Sequence, residues 1–447
     1  MTQTGQVTYF DWDEVTRGQI PSPAPTGRAI RHVSGNLLVA PTLSASNENT
    51  PGNEPQDAIV TGYDGGGEFG IEFSARNYDR HLANLTGNPW AYQTGDGTNR
   101  TIRASGAATV SYTAATRTLS TSGTWTVTPV SGQQIMVSGS GNAYLDGIHK
   151  IDPLTTPTST AIVLEQDGIL SNTAYVPNIT NKNMVIVRGE RTTNSLTPDM
   201  SSLGIERRIE RTRGTFLGTT ATSGSTTTDY AQFLAVMVTR LQIQATGDSA
   251  WTGQLSMRAS SQANSSEADG SATVMDATTT DAYDTAVFQG VSSVKKCRFY
   301  FPDISATSGD AGKIEDTLRL CPQSLSVELA NNLQATPLMC AQPEFDYQQG
   351  EPVGQVTVAG IYETPFPMVA FDNQYAGVFE LALVSTDGYG YLVRFPRAKM
   401  TLARADVGGR AQTLVTNMTV KAFRQTEDPD AGDSARTIEV YRFLPAP

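Results

Sequence analysis

The sequence predicts a mainly β protein in which two tandem strand-plus-helix units follow one another and a small β-sandwich interrupts the first. Three observations carry this. Thr, Ser, Gly and Asn are abundant while hydrophobic residues make up 38% and charged residues 17% of the 447, a mixture that folds and favours strands over helices. In the stretch 66–90, GGEFGIEFSARNYDRHLANLTGNPW, Phe69, Ile71 and Phe73 alternate with Glu68, Gly70 and Glu72, after which Tyr78, Leu82 and Leu85 recur at helical spacing. The stretch 354–377, GQVTVAGIYETPFPMVAFDNQYAG, repeats the change of period. There Val356, Val358 and Ile361 lie along a strand before Phe366, Val369 and Ala370.

Each unit has its own punctuation. In the first, Ser74 or Asn77 is placed to cap the helix and Gly87 to end it; in the second, Thr364 is the expected cap and Pro365 the first helical residue. Residues 1–28 are expected to form an extended arm, because the Pro-rich IPSPAPTG run fits neither helix nor central strand. Residues 40–61 are expected to form a long polar loop. The first unit then occupies 29–100 and 191–260. Between these parts, 101–190 holds short β runs such as TWTVTP, QQIMVSGSG and NMVIVRGE separated by turn residues, the pattern of a small sandwich. Such an insert enters at a surface loop, so it is expected to decorate the outside. By composition 261–290 is a linker, and 291–447 is the second unit. The segments from Tyr230 and from Tyr389 share one order: strand, basic break, strand, small-residue turn, strand. That shared order argues for internal duplication.

Sites of chemistry are sparse. The histidines His32, His81 and His149 fall in separate segments without a second ligand beside them. Cys297, Cys321 and Cys340 lack metal spacing and suit small core positions in a reducing compartment. Gly312–Lys313 lacks the glycine spacing and the Ser/Thr of a phosphate loop, and no nucleophile elbow occurs. Asp428, Asp430 and Glu439 fit three positions of a calcium loop, but Asp433 stands where its Gly belongs, so an acidic turn is expected. No catalytic, cofactor or metal residues are assigned, and no enzyme is expected. A net charge of −12 argues against a general nucleic-acid-binding face. Without a basic and apolar leader or a spanning-length apolar run, a soluble protein made in a cytoplasm is expected.

The order of motifs, DEVTRGQIPSPAPTGRAIRHVSGNLL, GEFGIEFSARNYDRHLANLTGNPW, SLSVELANNLQATPL and YGYLVRFPRAKMTLARADVGGR, resembles the tail tube proteins of long-tailed, siphovirus-type bacteriophages. The likeness is to the large form, with a duplicated tube domain and an inserted Ig-like domain, and it spans nearly the whole chain. Pro365 and Pro367 and the long 40–61 segment depart from that pattern.

The resemblance implies a structural virion protein, made in the bacterial host cytoplasm, whose sheets join around a ring into an inner β-barrel. Rings stack into the tail tube, through which double-stranded DNA passes without specific binding. Six units per ring imply three copies of a two-unit chain, a pseudo-sixfold ring. Implied partners are the chain itself, a tape measure protein, and tail terminator or baseplate proteins at the ends; no cofactor or membrane is implied. Glu68 and Glu72 are candidates for facing the lumen. Tyr78, Leu82 and Leu85 of one helix, and Phe366, Val369 and Phe371 of the other, are candidates for ring interfaces. A different class, a β-rich phage or surface adhesin whose small domain recognises a receptor, fits the composition equally well.

Overall fold

The computed structural model describes residues 5–45, 58–92, 101–103, 108–127, 129–165, 170–194, 202–212, 226–266, 279–300, 322–337, 345–348, 350–361, 366–407, 414–425 and 436–445. The chain is mainly β, as expected. In chain order the principal elements of the first half are β1 (Gly5–Asp13), β2 (Leu38–Ala45), β3 (Ala58–Glu72), α1 (Asp79–Thr86), β4 (Glu190–Thr193), β5 (Leu203–Thr212), β6 (Thr226–Thr246), β7 (Thr252–Arg258) and β8 (Ser261–Ser266). The second half contributes β9 (Val294–Tyr300), β10 (Pro322–Ala330), β11 (Val353–Ile361), α2 (Phe366–Asp372), β12 (Ala376–Val384), β13 (Gly390–Val407), β14 (Leu414–Ala422) and β15 (Glu439–Phe443).

The strand pairings occur twice. In the first half β1 pairs β5, β5 pairs the start of β6, and the start of β6 pairs β8. In the second half β9 pairs β12, β12 pairs the start of β13, and the start of β13 pairs β15. The other ends of the two long strands serve a second sheet. There β2–β3–β7–β6 is followed by β10–β11–β14–β13, and β6 pairs β10 at the seam. A single long strand in each half therefore runs through both layers, bending at a bulge between Val238 and Arg240 in β6 and between Met400 and Leu402 in β13.

One continuous apolar core lies between the layers and crosses the seam. Phe69, Leu241, Leu255, Val327, Val356 and Met418 from one sheet meet Ile205, Phe233, Phe379, Tyr391 and Phe395 from the other. The core side chains of each strand fall on alternate residues, which puts one face inward. Gly65 and Gly67 permit the close crossing of β3: a Cβ at Gly65 would lie 2.0 Å from the Ala259 carbonyl, and one at Gly67 2.6 Å from Leu37 Cα.

Several expectations about the chain's periphery are corrected. The expected arm contains β1, paired over nine residues with 203–211, and its Tyr9 and Trp12 are buried. The burial of these two aromatic side chains outweighs the Pro-rich run that follows. The expected 40–61 loop contains most of β2 and the start of β3, which form one antiparallel ladder. Pro41 is tolerated because β2 is an edge strand, where a missing N–H breaks no ladder. The expected 261–290 linker begins as strand β8. Its end, 279–290, is a strap with Phe288 fully buried, Tyr283 N donating to Asn77 Oδ1 and Ala286 N to Asp387 Oδ2. Small polar residues hid both, since backbone and amide hydrogen bonds hold them more than side-chain burial does.

Helix α1 ends at Gly87 as expected, in the left-handed conformation with φ 77° and its N–H on the Ala83 carbonyl. Its N-cap is Tyr78, without a side-chain cap. Asn77 instead uses its amide on Ser74 Oγ and the Tyr283 carbonyl. Helix α2 starts at Phe366; Thr364 and Pro365 lie outside the described residues.

The insert holds two four-stranded sheets around its own core of Val110, Tyr112, Leu119, Ile135, Ile162 and Ile186. It is not a free ornament. Met136, Ile148 and Val187 on the back of one insert sheet pack against Ala382, Leu392, Tyr441 and Phe443 of the second half. The run IMV in QQIMVS, apolar on both faces of its strand, was the available signal.

Candidate assembly interface

Strands β6 and β10 join the two halves in register: Arg240 opposes Ala330, Gln242 opposes Glu328 and Gln244 opposes Ser326. Arg240 Nε reaches Glu328 Oε1 at 2.7 Å across this seam. By position in the repeated pairings, β13 corresponds to β6 and β2 to β10. These are the end strands of the eight-stranded order. Among the described residues neither has a strand partner beyond β14 and β3, respectively, over Thr401–Val407 of β13 and over β2. Both edges carry an unusually exposed leucine, Leu38 at 52% and Leu402 at 44%. Open edges with apolar side chains are templates for further pairing.

The register follows from the bulges and cross-pairs. The bulge sets Leu402 in the place of Arg240. Phe69 opposes Leu255 as Val358 opposes Met418, which sets Leu38 in the place of Glu328. A second seam built like the first brings Arg404 opposite Leu38 and Ala403 opposite Val39, in antiparallel sense.

The outer face of this sheet is polar. It carries Thr252, Gln254, Ser256, Gln242, Gln244, Ser326, Gln355, Thr357 and Thr419. Glu68 and Glu72 are on this face, Glu68 exposed and accepting from Ser256 Oγ at 3.2 Å, Glu72 half-buried. They share it with Arg240, Arg258, Lys399, Arg404 and Lys421, so the chain's acidic surplus is not concentrated here. Sequence reasoning missed these cations because paired residues share a face only once register is known.

The helix candidates for ring contact divide differently. Tyr78, Leu82 and Leu85 are buried in the chain's own core, which corrects their assignment to a ring interface. Tyr78 OH also donates to the Arg31 carbonyl at 2.6 Å. An amphipathic stripe on a short helix finds its own sheet first, because that burial is intramolecular. Phe371 packs partly buried against the same core, and the side chains of Phe366 and Val369 lie outside those described.

The remaining residues weighed for chemistry do not converge. His32 meets Tyr9 and Phe69 edge-on. His81 is buried 3.3 Å from Asp11, and burial pushes its pKa down against that carboxylate's pull. His149 contacts the Leu145 carbonyl. Cys297 is buried, while Cys321 and Cys340 lie outside the described residues, as do Gly312, Lys313, Asp428, Asp430 and Asp433. Glu439, the remaining residue of the calcium-loop pattern, is fully buried against Arg394 and Arg436 and so is no part of a solvated turn. Among the described residues no group of three His, Cys, Asp or Glu side chains is placed to hold a metal. Among the described residues no helix is long and apolar enough to cross a membrane.

Compared with models of known protein families the chain finds no match, and compared with curated proteins it finds no significant one.

Proposed function

We propose that the chain is a structural protein of a long-tailed bacteriophage that polymerises through its own sheet edges into stacked rings, forming the tail tube that conducts double-stranded DNA. The observation that carries this reading is the internal seam. The chain already performs once, between β6 and β10, the pairing that its two end strands, β13 and β2, are shaped to repeat with another copy, the Gln262 amide that now accepts from Val39 N giving way. Head-to-tail repetition generates a ring when the rotation closes. Closure also removes both exposed edges.

In this reading the polar outer face of the eight-stranded sheet lines the lumen. Its hydroxyls and amides stay hydrated, and its carboxylates interrupt its cations. Tight phosphate binding needs several unneutralised cations tracking one backbone, and Arg240 is already held by Glu328. DNA meeting such a wall slides. The tape measure and the tail terminator or baseplate proteins would meet the tube at its core and ends.

The test is covalent. Leu38→Cys and Arg404→Cys together should give disulfide-linked multimers above the background of the native cysteines, with tubes or rings visible by electron microscopy at high protein concentration. A chain that stays monomeric at high concentration, with no cross-link, would overturn the proposal.

The adhesin reading draws on one observation. Tyr144 and Tyr175 stand exposed on adjoining loops of the insert, ring centroids 5.6 Å apart and edge to face. Binding of the unassembled chain to host cells, lost in Tyr144→Ala with Tyr175→Ala, would favour it, and such binding does not require tubes.

A further inference from the structure

Beside α1 lies a cavity of about 500 Å³, walled by β1, the 279–290 strap and the end of β15. Four arginines and three aspartates face it: Arg28, Arg76, Arg80 and Arg442 with Asp11, Asp13 and Asp79. The carboxylates are all engaged. Arg80 takes Asp11 through Nη1 and Asp13 through Nε at 3.0 Å. Arg442 takes Asp79 at 2.7 Å and also Glu190, and Tyr391 OH donates to Asp79 from the far side.

Arg28 and Arg76 are left over. Each guanidinium lies 3.9 Å from the ring centroid of Tyr283, whose backbone is clamped by Asn77. Among the described residues neither has a carboxylate within ion-pair distance. Arg28 has only a long contact of 3.4 Å from Nε to Thr280 Oγ1. Burial, then the nearby Arg80, lower the Arg28 pKa; Asp11 opposes this and Arg76 adds to it. Two half-buried cations without counterions, in a chain with a net charge of −12, are a costly arrangement unless something completes them. The aromatic face satisfies the flat side of a guanidinium, but its N–H donors point in the ring plane and need acceptors.

We propose that this cavity is an oxyanion-binding site in which Arg28 and Arg76 grip a carboxylate or phosphate group. The planar fork of Arg suits both anions. The inference is independent of tube assembly. The anion has two sources, a small molecule in solution or an acidic side chain of a second copy, and the same residues recognise either.

Titration of the full-length chain with inorganic phosphate and with citrate, at constant ionic strength, tests the site by calorimetry. Saturable binding is expected, weakened at least tenfold in Arg28→Gln and in Arg76→Gln and partly restored in the corresponding Lys variants. Unchanged melting of the Gln variants shows that they remain folded. Sedimentation with and without phosphate separates the sources. If phosphate dissociates multimers and Arg28→Gln weakens them alike, the anion belongs to a neighbouring copy; if phosphate binds without altering association, the site serves a small anion. Absence of saturable phosphate or citrate binding to the unaltered chain, with association unaffected by the double Gln variant, overturns the proposal. So does binding that is insensitive to both substitutions.

Discussion

Arg298 stands directly opposite Glu380 on the paired strands β9 and β12, its Nε 2.8 Å from the carboxylate, while its Nη2 reaches Glu165 of the insert at the same distance. Glu380 in turn opposes Arg394, and Arg394 opposes Glu439. Four neighbouring strands thus carry a row of alternating charge, and the insert covers one end of it. Lys150 of the insert completes Glu165 at 3.2 Å.

Breaking this row at the end the insert covers should be severe. Arg298→Ala leaves Glu380 and Glu165 short of a partner in a buried setting, and loss of one member of a buried pair costs about 3–5 kcal/mol. Denaturant unfolding should show that loss. A change below about 1 kcal/mol would mean that water or Lys296 replaces the guanidinium.

Acid should release the same clamp. Burial alone would raise the three carboxylates, but the surrounding cations overturn it: Arg298, Lys296 and Arg394 hold Glu380 far below the usual range, Arg394 and Arg191 lower Glu439, and Arg298 and Lys150 lower Glu165 against the push of Glu380. Groups with depressed folded pKa values give their full stabilisation above the unfolded value of about 4.3 and lose it as pH falls through the folded values. Melting temperature should therefore be insensitive to these groups near neutral pH and fall below about pH 4. In Glu380→Gln the acid limb should be shallower.

Removing the insert should not be neutral. Replacing 101–189 by a short Gly/Ser bridge uncovers Leu392, Tyr441 and Phe443, which now pack on Met136, Ile148 and Val187. Lower solubility and a lower unfolding midpoint of the remaining chain are expected. Recovery on substituting polar residues for Leu392 and Phe443 would confirm the cause, and an unchanged midpoint in the simple deletion would show that this contact contributes little.

Helix α1 should behave as core. Leu82→Ala should cost about 2–5 kcal/mol through the cavity it leaves, read from the denaturation midpoint, with tube contacts affected only through stability. A variant of unchanged stability that fails to assemble would return this helix to the ring interface.

Ring symmetry decides the stoichiometry. Two units per chain with inequivalent helices, Asp79–Thr86 in one and Phe366–Asp372 in the other, should give averaged tubes of threefold rotational symmetry. Six full chains per ring would mean that the halves do not occupy equivalent places.

What the sequence determined by itself was whatever depends on local period. The alternation at Phe69, Ile71 and Phe73, the stripe at Tyr78, Leu82 and Leu85, the Gly87 stop and the short runs of the insert all read correctly as strand, helix, turn and sandwich, because side-chain direction repeats every two residues or every 3.6. What only the tertiary structure decided was pairing. The nine-residue ladder of β1 joins it to residues some two hundred positions away, the edge strand around Pro41 lies in a stretch whose polar residues read as loop, and strand β8 has too few apolar residues to announce itself. The row from Arg298 to Glu439 spans more than a hundred residues, and Arg28, Arg76 and Tyr283 meet across more than two hundred. Which side chains share a face depends on register, and register is fixed by neighbouring strands.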